Sequence, residues 1–125
     1  TDWKAFGSDL PADPIKSITA ISGVYDLYPI PHLSTNADIR LDATMARNLS
    51  PMFTTPVVDV PLSVIVGLGE LDEFIRQSKE FAADWSSKLS NVEYTELPGL
   101  NHFTIVDTMD RADDPITARM IDYMV

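Results

Sequence analysis

The chain contains no cysteine. That excludes disulfides, a cysteine nucleophile and thiolate metal sites. Histidine is nearly as scarce, with two in 125 residues. They lie far apart, and the carboxylates near them follow neither HExxH nor EF-hand spacing, so no metal is expected. Basic residues are also few. Nine Lys and Arg stand against 19 Asp and Glu, for a net charge of −10. Phosphate backbones need cationic surfaces, so no nucleic-acid partner is expected. The same charge opposes anionic membrane surfaces. No run approaches the roughly 20 apolar residues of a membrane span. No basic start leading into an apolar stretch marks a signal peptide. A cytoplasmic location is therefore the expectation. Glycine is limited to five residues. Gly67-Leu-Gly69 begins a dinucleotide fingerprint, but Asp72 stands where its third glycine belongs. No Gly-x-Ser-x-Gly elbow and no His-Gly-Gly oxyanion segment occurs anywhere.

What is present is ordinary globular material, 45% hydrophobic and 22% charged. The length suits one domain or part of one. Residues 1–6 look like the last turn of a helix, and 8–14 is a turn-rich connector. A strand is predicted over 15–22, ending at Gly23. Residues 24–34 read as a loop, because Pro29 and Pro31 block regular structure. A helix is predicted over 36–48, capped by Asn36 or Asp38, with Ile39, Leu41, Met45 and Leu49 as its apolar stripe. Residues 52–59 form a second irregular connector.

The run over 60–67 (Val-Pro-Leu-Ser-Val-Ile-Val-Gly) is short, β-rich and almost continuously apolar, as a strand covered on both faces should be. The next helix is predicted over 72–89. Phe74, Ser78, Phe81, Trp85 and Leu89 fall on one face of a 3.6-residue period. A third strand is predicted over 92–97. Asp114-Pro115 then has the signature of a helix start, with Ile116, Met120, Ile121 and Met124 lining the helix that follows. Strands alternating with helices imply an α/β fold, a doubly wound and mostly parallel sheet of three βα units. In such sheets chemistry gathers at the C-terminal ends of the strands.

Two turns lie at those ends. The segment Leu97-Pro-Gly-Leu-Asn-His-Phe-Thr-Ile-Val-Asp107 places His102 after the third strand. A general base must titrate near neutral pH and move between nucleophile and leaving group, which a loop after a strand allows. Position alone is equally compatible with a loop histidine of no role. His32 directly follows Pro31 in a loop, with no acid in a matching position, and reads as surface or lid structure. The other turn, Val66-Gly-Leu-Gly-Glu-Leu-Asp-Glu-Phe74, places acids after the second strand. Asp72 is suited to cap the next helix and Glu73 to face its dipole. Glu70 has no such structural explanation and is the leading triad acid, with Asp72 the alternative. Acid before histidine is the back two-thirds of the chain order Ser…Asp/Glu…His.

The runs Ile21-Ser-Gly-Val-Tyr-Asp-Leu27, Ser50-Pro51, Asp72-Glu-Phe-Ile-Arg-Gln-Ser78 and Leu97-Pro-Gly-Leu-Asn-His-Phe-Thr-Ile-Val106 carry a resemblance. Together they resemble the C-terminal half of arylformamidase (kynurenine formamidase), within the esterase/lipase branch of the α/β-hydrolases. The resemblance implies that residues 1–125 are the C-terminal portion of a single α/β-hydrolase domain. It implies His102 as catalytic base and Glu70 as triad acid. It implies small amides or esters as substrates, without metal or organic cofactor. Thr1-Asp-Trp3 would then end the helix after the nucleophile elbow, with the serine upstream. The expected partner is the N-terminal half of the same enzyme, on this chain or a separate one. Loops 24–34 and 52–59 are expected to shape the acyl or aromatic pocket. The alternative expectation is a non-catalytic, stand-alone chain with a binding or partner role.

Overall fold

The computed structural model describes residues 3–11, 14–107 and 109–123. Three strands form one sheet in the order β1 (Ile18–Ile21), β2 (Leu62–Gly67), β3 (Val92–Leu97). Both pairings are parallel, with Ile18 opposite Leu62 and Leu62 opposite Val92. The central strand is buried at every position. Its continuous apolar run thus reflects two covered faces, as expected.

The alternation of side chains along β2 sorts the core into two halves. Leu62 and Val64 face α3 (Asp72–Trp85) and pack with Phe81, Ala82, Trp85, Leu89 and Tyr25. Ile65 faces the other way and packs with Ile105 and with Ile116 of α4 (Pro115–Asp122). Helices therefore cover both faces, which is the doubly wound α/β arrangement. Each fully buried aliphatic side chain contributes about 1.5–3 kcal/mol relative to exposure. The helix after β2 and the helix after β3 thus lie on opposite sides of the sheet.

Several elements match their predicted limits closely. β3 coincides with 92–97, and α4 starts where predicted. The Asp114 carboxylate accepts from the backbone N–H groups of Ile116 and Thr117. Met124 and residues 1 and 2 lie outside the described residues. Trp3–Ala5 is a short 3-10 turn. β1 and β2 are shorter at their starts than predicted, and α3 ends at Trp85 rather than at 89. Its first turn also differs. Leu71 occupies the cap position without a side-chain hydrogen bond, so Asp72 caps nothing and is exposed.

The predicted helix over 36–48 is two short helices, α1 (Asn36–Ile39) and α2 (Ala43–Leu49). Arg40 breaks them with a left-handed backbone, φ +61°. The Asn36 side chain spans the break, donating to the Leu41 carbonyl at 3.0 Å and accepting from the Leu41 N–H at 2.8 Å. Asp42 then caps α2 through the Met45 N–H. A local side-chain bridge has replaced the helical hydrogen bonds that continuation would need. The apolar stripe is not buried either. Ile39 is 53% exposed and Leu49 58%, whereas Ala46 is the buried residue of α2.

Candidate active site

The turn after β2 and the turn after β3 are joined by backbone. Leu68 N–H donates to the Leu97 carbonyl at 3.0 Å, and Gly69 N–H to the Leu100 carbonyl at 2.8 Å. The glycines permit this approach. A Cβ built on Gly67 would overlap the Leu100 carbonyl, and one on Gly69 would lie 3.0 Å from it. Glycine here supplies room rather than an unusual backbone angle.

That junction brings Glu70 and His102 together. His102 Nδ1 lies 2.9 Å from Glu70 Oε2. The Glu70 side chain has no solvent exposure, while that of His102 is 47% exposed. The other carboxylate oxygen, Oε1, accepts from Ser22 Oγ at 2.5 Å and from the Gly67 N–H at 2.9 Å. Burial pushes the Glu70 carboxyl up. The hydrogen bonds from Ser22, Gly67 and His102 outweigh it and hold the group below the ordinary glutamate value of 4.5. Glu70 is therefore an anion at neutral pH. An anion only accepts, so the proton of a neutral His102 sits on Nδ1. Nε2 is left with its lone pair, and no described residue makes a hydrogen bond to it.

The imidazole is flanked by rings. Phe74 of α3 lies 4.7 Å away between centroids, and Phe103 lies 5.8 Å away, edge-on. Asn101 fixes the local backbone. Its side-chain oxygen accepts from the N–H groups of Phe103 and Thr104, and its own N–H donates to Thr104 Oγ1. This reciprocal pair starts the short 3-10 helix Thr104–Val106 and holds His102 at its lip. Ile105 anchors the turn into the core beneath.

A cavity of about 300 Å³ lies between the loop after β1 and the start of α3. Its walls include Val24, Ile30, Leu33, Leu71 and Phe74, so Phe74 borders both the cavity and the His102 ring. The loop is pinned by buried Gln77. Its Oε1 accepts from the N–H groups of Tyr25 and Asp26, while its Nε2 donates to Asp26 O and to Glu73. Ser50 adds a tether, accepting from Leu27 N–H and donating to Ala46 O. Residues of the 24–34 loop thus line this cavity. Residues 54–58 do not. They line a separate groove with Ile18 and Trp85, at the start of β1 and the end of α3, far from the strand ends that carry Glu70 and His102.

Asp72 makes no hydrogen bond to His102, and its side chain lies in the exposed first turn of α3. Glu73 is drawn down to about 2 by hydrogen bonds from Arg76 and Gln77, and serves the helix surface. His32 sits in the 3-10 turn Ile30–His32, edge-on to Tyr28. Among the described residues no three His, Asp or Glu side chains gather as a metal site. No described helix is long and apolar enough to cross a membrane. Sequence reasoning missed Ser22, Asn101 and Gln77. The serine and the asparagine each stand beside a strand-end glycine or histidine. Nothing in local spacing pairs position 22 with position 70.

No protein-family model matches the chain. It is 26% identical over 130 residues to a kynurenine formamidase of Salmo salar, covering 99% of this chain and 43% of the relative. It is 25% identical over 114 residues to a kynurenine formamidase of Danio rerio, covering 87% of this chain and 38% of that protein. The chain resembles the kynurenine formamidases. It spans less than half the length of either relative. Among solved structures it matches a protein from Silicibacter described as a "putative thioesterase". That match has a TM-score of 0.76 and 23% identity, covering 83% of this chain and 38% of the other. At that identity the likeness bears on the fold alone, and it agrees with the α/β arrangement of β1–β3.

Proposed function

We propose that this chain supplies the acid and the base of a serine-type α/β-hydrolase acting on small amides or esters, with aryl formamides first among them. Residues 1–125 are then the C-terminal portion of one α/β-hydrolase domain. The serine and the oxyanion donors come from a segment outside these residues, on the same polypeptide or a companion. The observation that carries this reading is the Glu70–His102 hydrogen bond, donated by a half-exposed imidazole to a solvent-free carboxylate at adjacent strand ends.

In the reaction, the serine Oγ attacks the substrate carbonyl carbon while His102 Nε2 takes its proton. The imidazolium, held and stabilised by Glu70, returns that proton to the leaving amine or alcohol. Water then attacks the acyl-enzyme, again losing a proton to Nε2, and the serine is regenerated. The 300 Å³ cavity beside Phe74 suits the apolar part of the substrate.

The test uses the protein as its gene encodes it, assayed on N-formylkynurenine and on a p-nitrophenyl ester. His102→Ala should lower kcat about a thousandfold on the better substrate, with the fold retained by circular dichroism. Full activity in that variant would remove His102 from the mechanism. Hydrolysis of neither substrate by the unaltered protein would favour a binding role.

A further inference from the structure

Glu70 carries one more carbon than an aspartate would, and its terminal torsion is soft, with broad, roughly two-fold minima. A carboxylate on such a stem can turn and present either oxygen to its neighbours. Something must fix which oxygen faces the imidazole. Two donors converge on Oε1, the Ser22 hydroxyl at 2.5 Å and the Gly67 N–H at 2.9 Å, and leave Oε2 for His102 at 2.9 Å. One donor comes from the end of β1 and the other from the end of β2. The carboxylate is therefore clamped across the gap between two strands.

The local backbone at Ser22 is unusual. Its N–H still donates to Ile65 O at 2.8 Å, continuing the β1–β2 ladder one residue beyond the strand. The residue then takes φ +50°, in the left-handed region where glycine is the residue of least strain. Serine stands there instead, 7% exposed, with its hydroxyl on the carboxylate. Strain held at a residue that touches a candidate acid points towards function.

We propose that Ser22 is a positioning residue for the acid–base pair, its hydroxyl locking Glu70 so that Oε2 remains aimed at His102 Nδ1. This rests on the hydrolase reading above. Ser22 acts through Glu70 and is not a nucleophile, because its hydroxyl is buried against the acid and lies on the far side of Glu70 from the imidazole contact. It also offers something the Gly67 N–H does not. A side-chain hydroxyl can be removed without touching the backbone that links the two turns.

The experiment is kinetic, in the protein as encoded, with the substrate that it hydrolyses better. Ser22→Gly removes the hydroxyl and relieves the left-handed backbone, two changes with opposed effects on stability, so the variant should stay folded. Ser22→Ala removes the hydroxyl and keeps the backbone cost. Both should lower kcat about ten- to a hundredfold through a misplaced base, with KM within about twofold. In a Glu70→Ala background there is no carboxylate to clamp, and Ser22→Gly should change kcat less than about twofold. An unchanged kcat in Ser22→Gly overturns the proposal, as does an equal loss in both backgrounds or a loss confined to KM. The underlying reading fails separately: if His102→Ala stays active, there is no acid–base pair to position. If His102→Ala is inactive while Ser22→Gly is fully active, only the role of Ser22 falls.

Discussion

The turns after β2 and β3 and the stretch from residue 33 to residue 58 hold themselves together in opposite ways. The turns lie over a packed core, are laced by backbone hydrogen bonds, and enclose a carboxylate without solvent exposure. The other stretch turns Leu33, Ile39, Met45, Leu49 and Phe53 largely outward. Ala46 and Met52 turn inward, and the rest is held by a few polar tethers, chiefly Asn36 across its break, Asp42 at a cap and Ser50 to the loop after β1. Apolar content does not measure order here. A buried carboxylate with three hydrogen bonds is fixed more tightly than an isoleucine that finds no partner. Precise placement of groups belongs to the first region, and with it the candidate chemistry.

The sharpest way to break this contrast is at the two acids. Glu70→Gln should lower kcat about a hundredfold or more, because the wrong tautomer of His102 is then favoured. Asp72→Asn, two residues away and exposed, should stay within about twofold. Steady-state kinetics on both variants decides it, and the reverse ranking would transfer the acid role to Asp72.

The next largest effect is on the junction itself. Gly67→Ala forces a methyl group onto the Leu100 carbonyl, which is backbone and cannot swing aside. A loss of about 1–3 kcal/mol is expected by chemical denaturation, together with reduced activity as Glu70 and His102 move apart.

The pH dependence of stability separates Glu70 from ordinary surface acids. Its folded-state pKa lies below the ordinary value of 4.5. The stability it contributes is therefore fully present above that value and lost as pH falls through the folded pKa. Glu73, held at about 2, titrates in the same window. The comparison must therefore be between the protein and its Glu70→Gln variant. Below pH 4.5 the unaltered protein should lose melting temperature more steeply than the variant. Parallel curves would mean that the buried carboxylate gains nothing from its three donors.

The smallest effect is expected in the outward-facing stretch. Leu49→Ser and Ile39→Thr should each change stability by about 0.5 kcal/mol or less, since neither side chain is buried. A loss of several kcal/mol in thermal unfolding would show that something covers this surface in the protein as it exists.

Much of the fold is legible in local pattern. The apolar run of β2, the 3.6-residue stripe of α3 and the Asp-Pro start of α4 each declare an element through its own residues. Region 36–48 misleads for the same reason that α3 does not. Periodicity marks a face that can be buried. Only the path of the chain decides whether anything packs against it. Asn36 and the left-handed Arg40 redirect that path, so the stripe never meets the sheet.

By itself the sequence determined the order of strands and helices. From that order it put one acidic turn and one histidine turn at strand ends, because parallel βα units always deliver their loops to that side. It also left Glu70 as the acid without a structural task. Tertiary structure alone decided that Glu70 rather than Asp72 meets His102, that Gly67 and Gly69 let the two turns close, and that Ser22 reaches across 48 residues to the carboxylate. Those are contacts between strands that are neighbours in the sheet and distant along the chain. No local propensity encodes them, since they exist only once the register of β1 on β2 and of β2 on β3 is set.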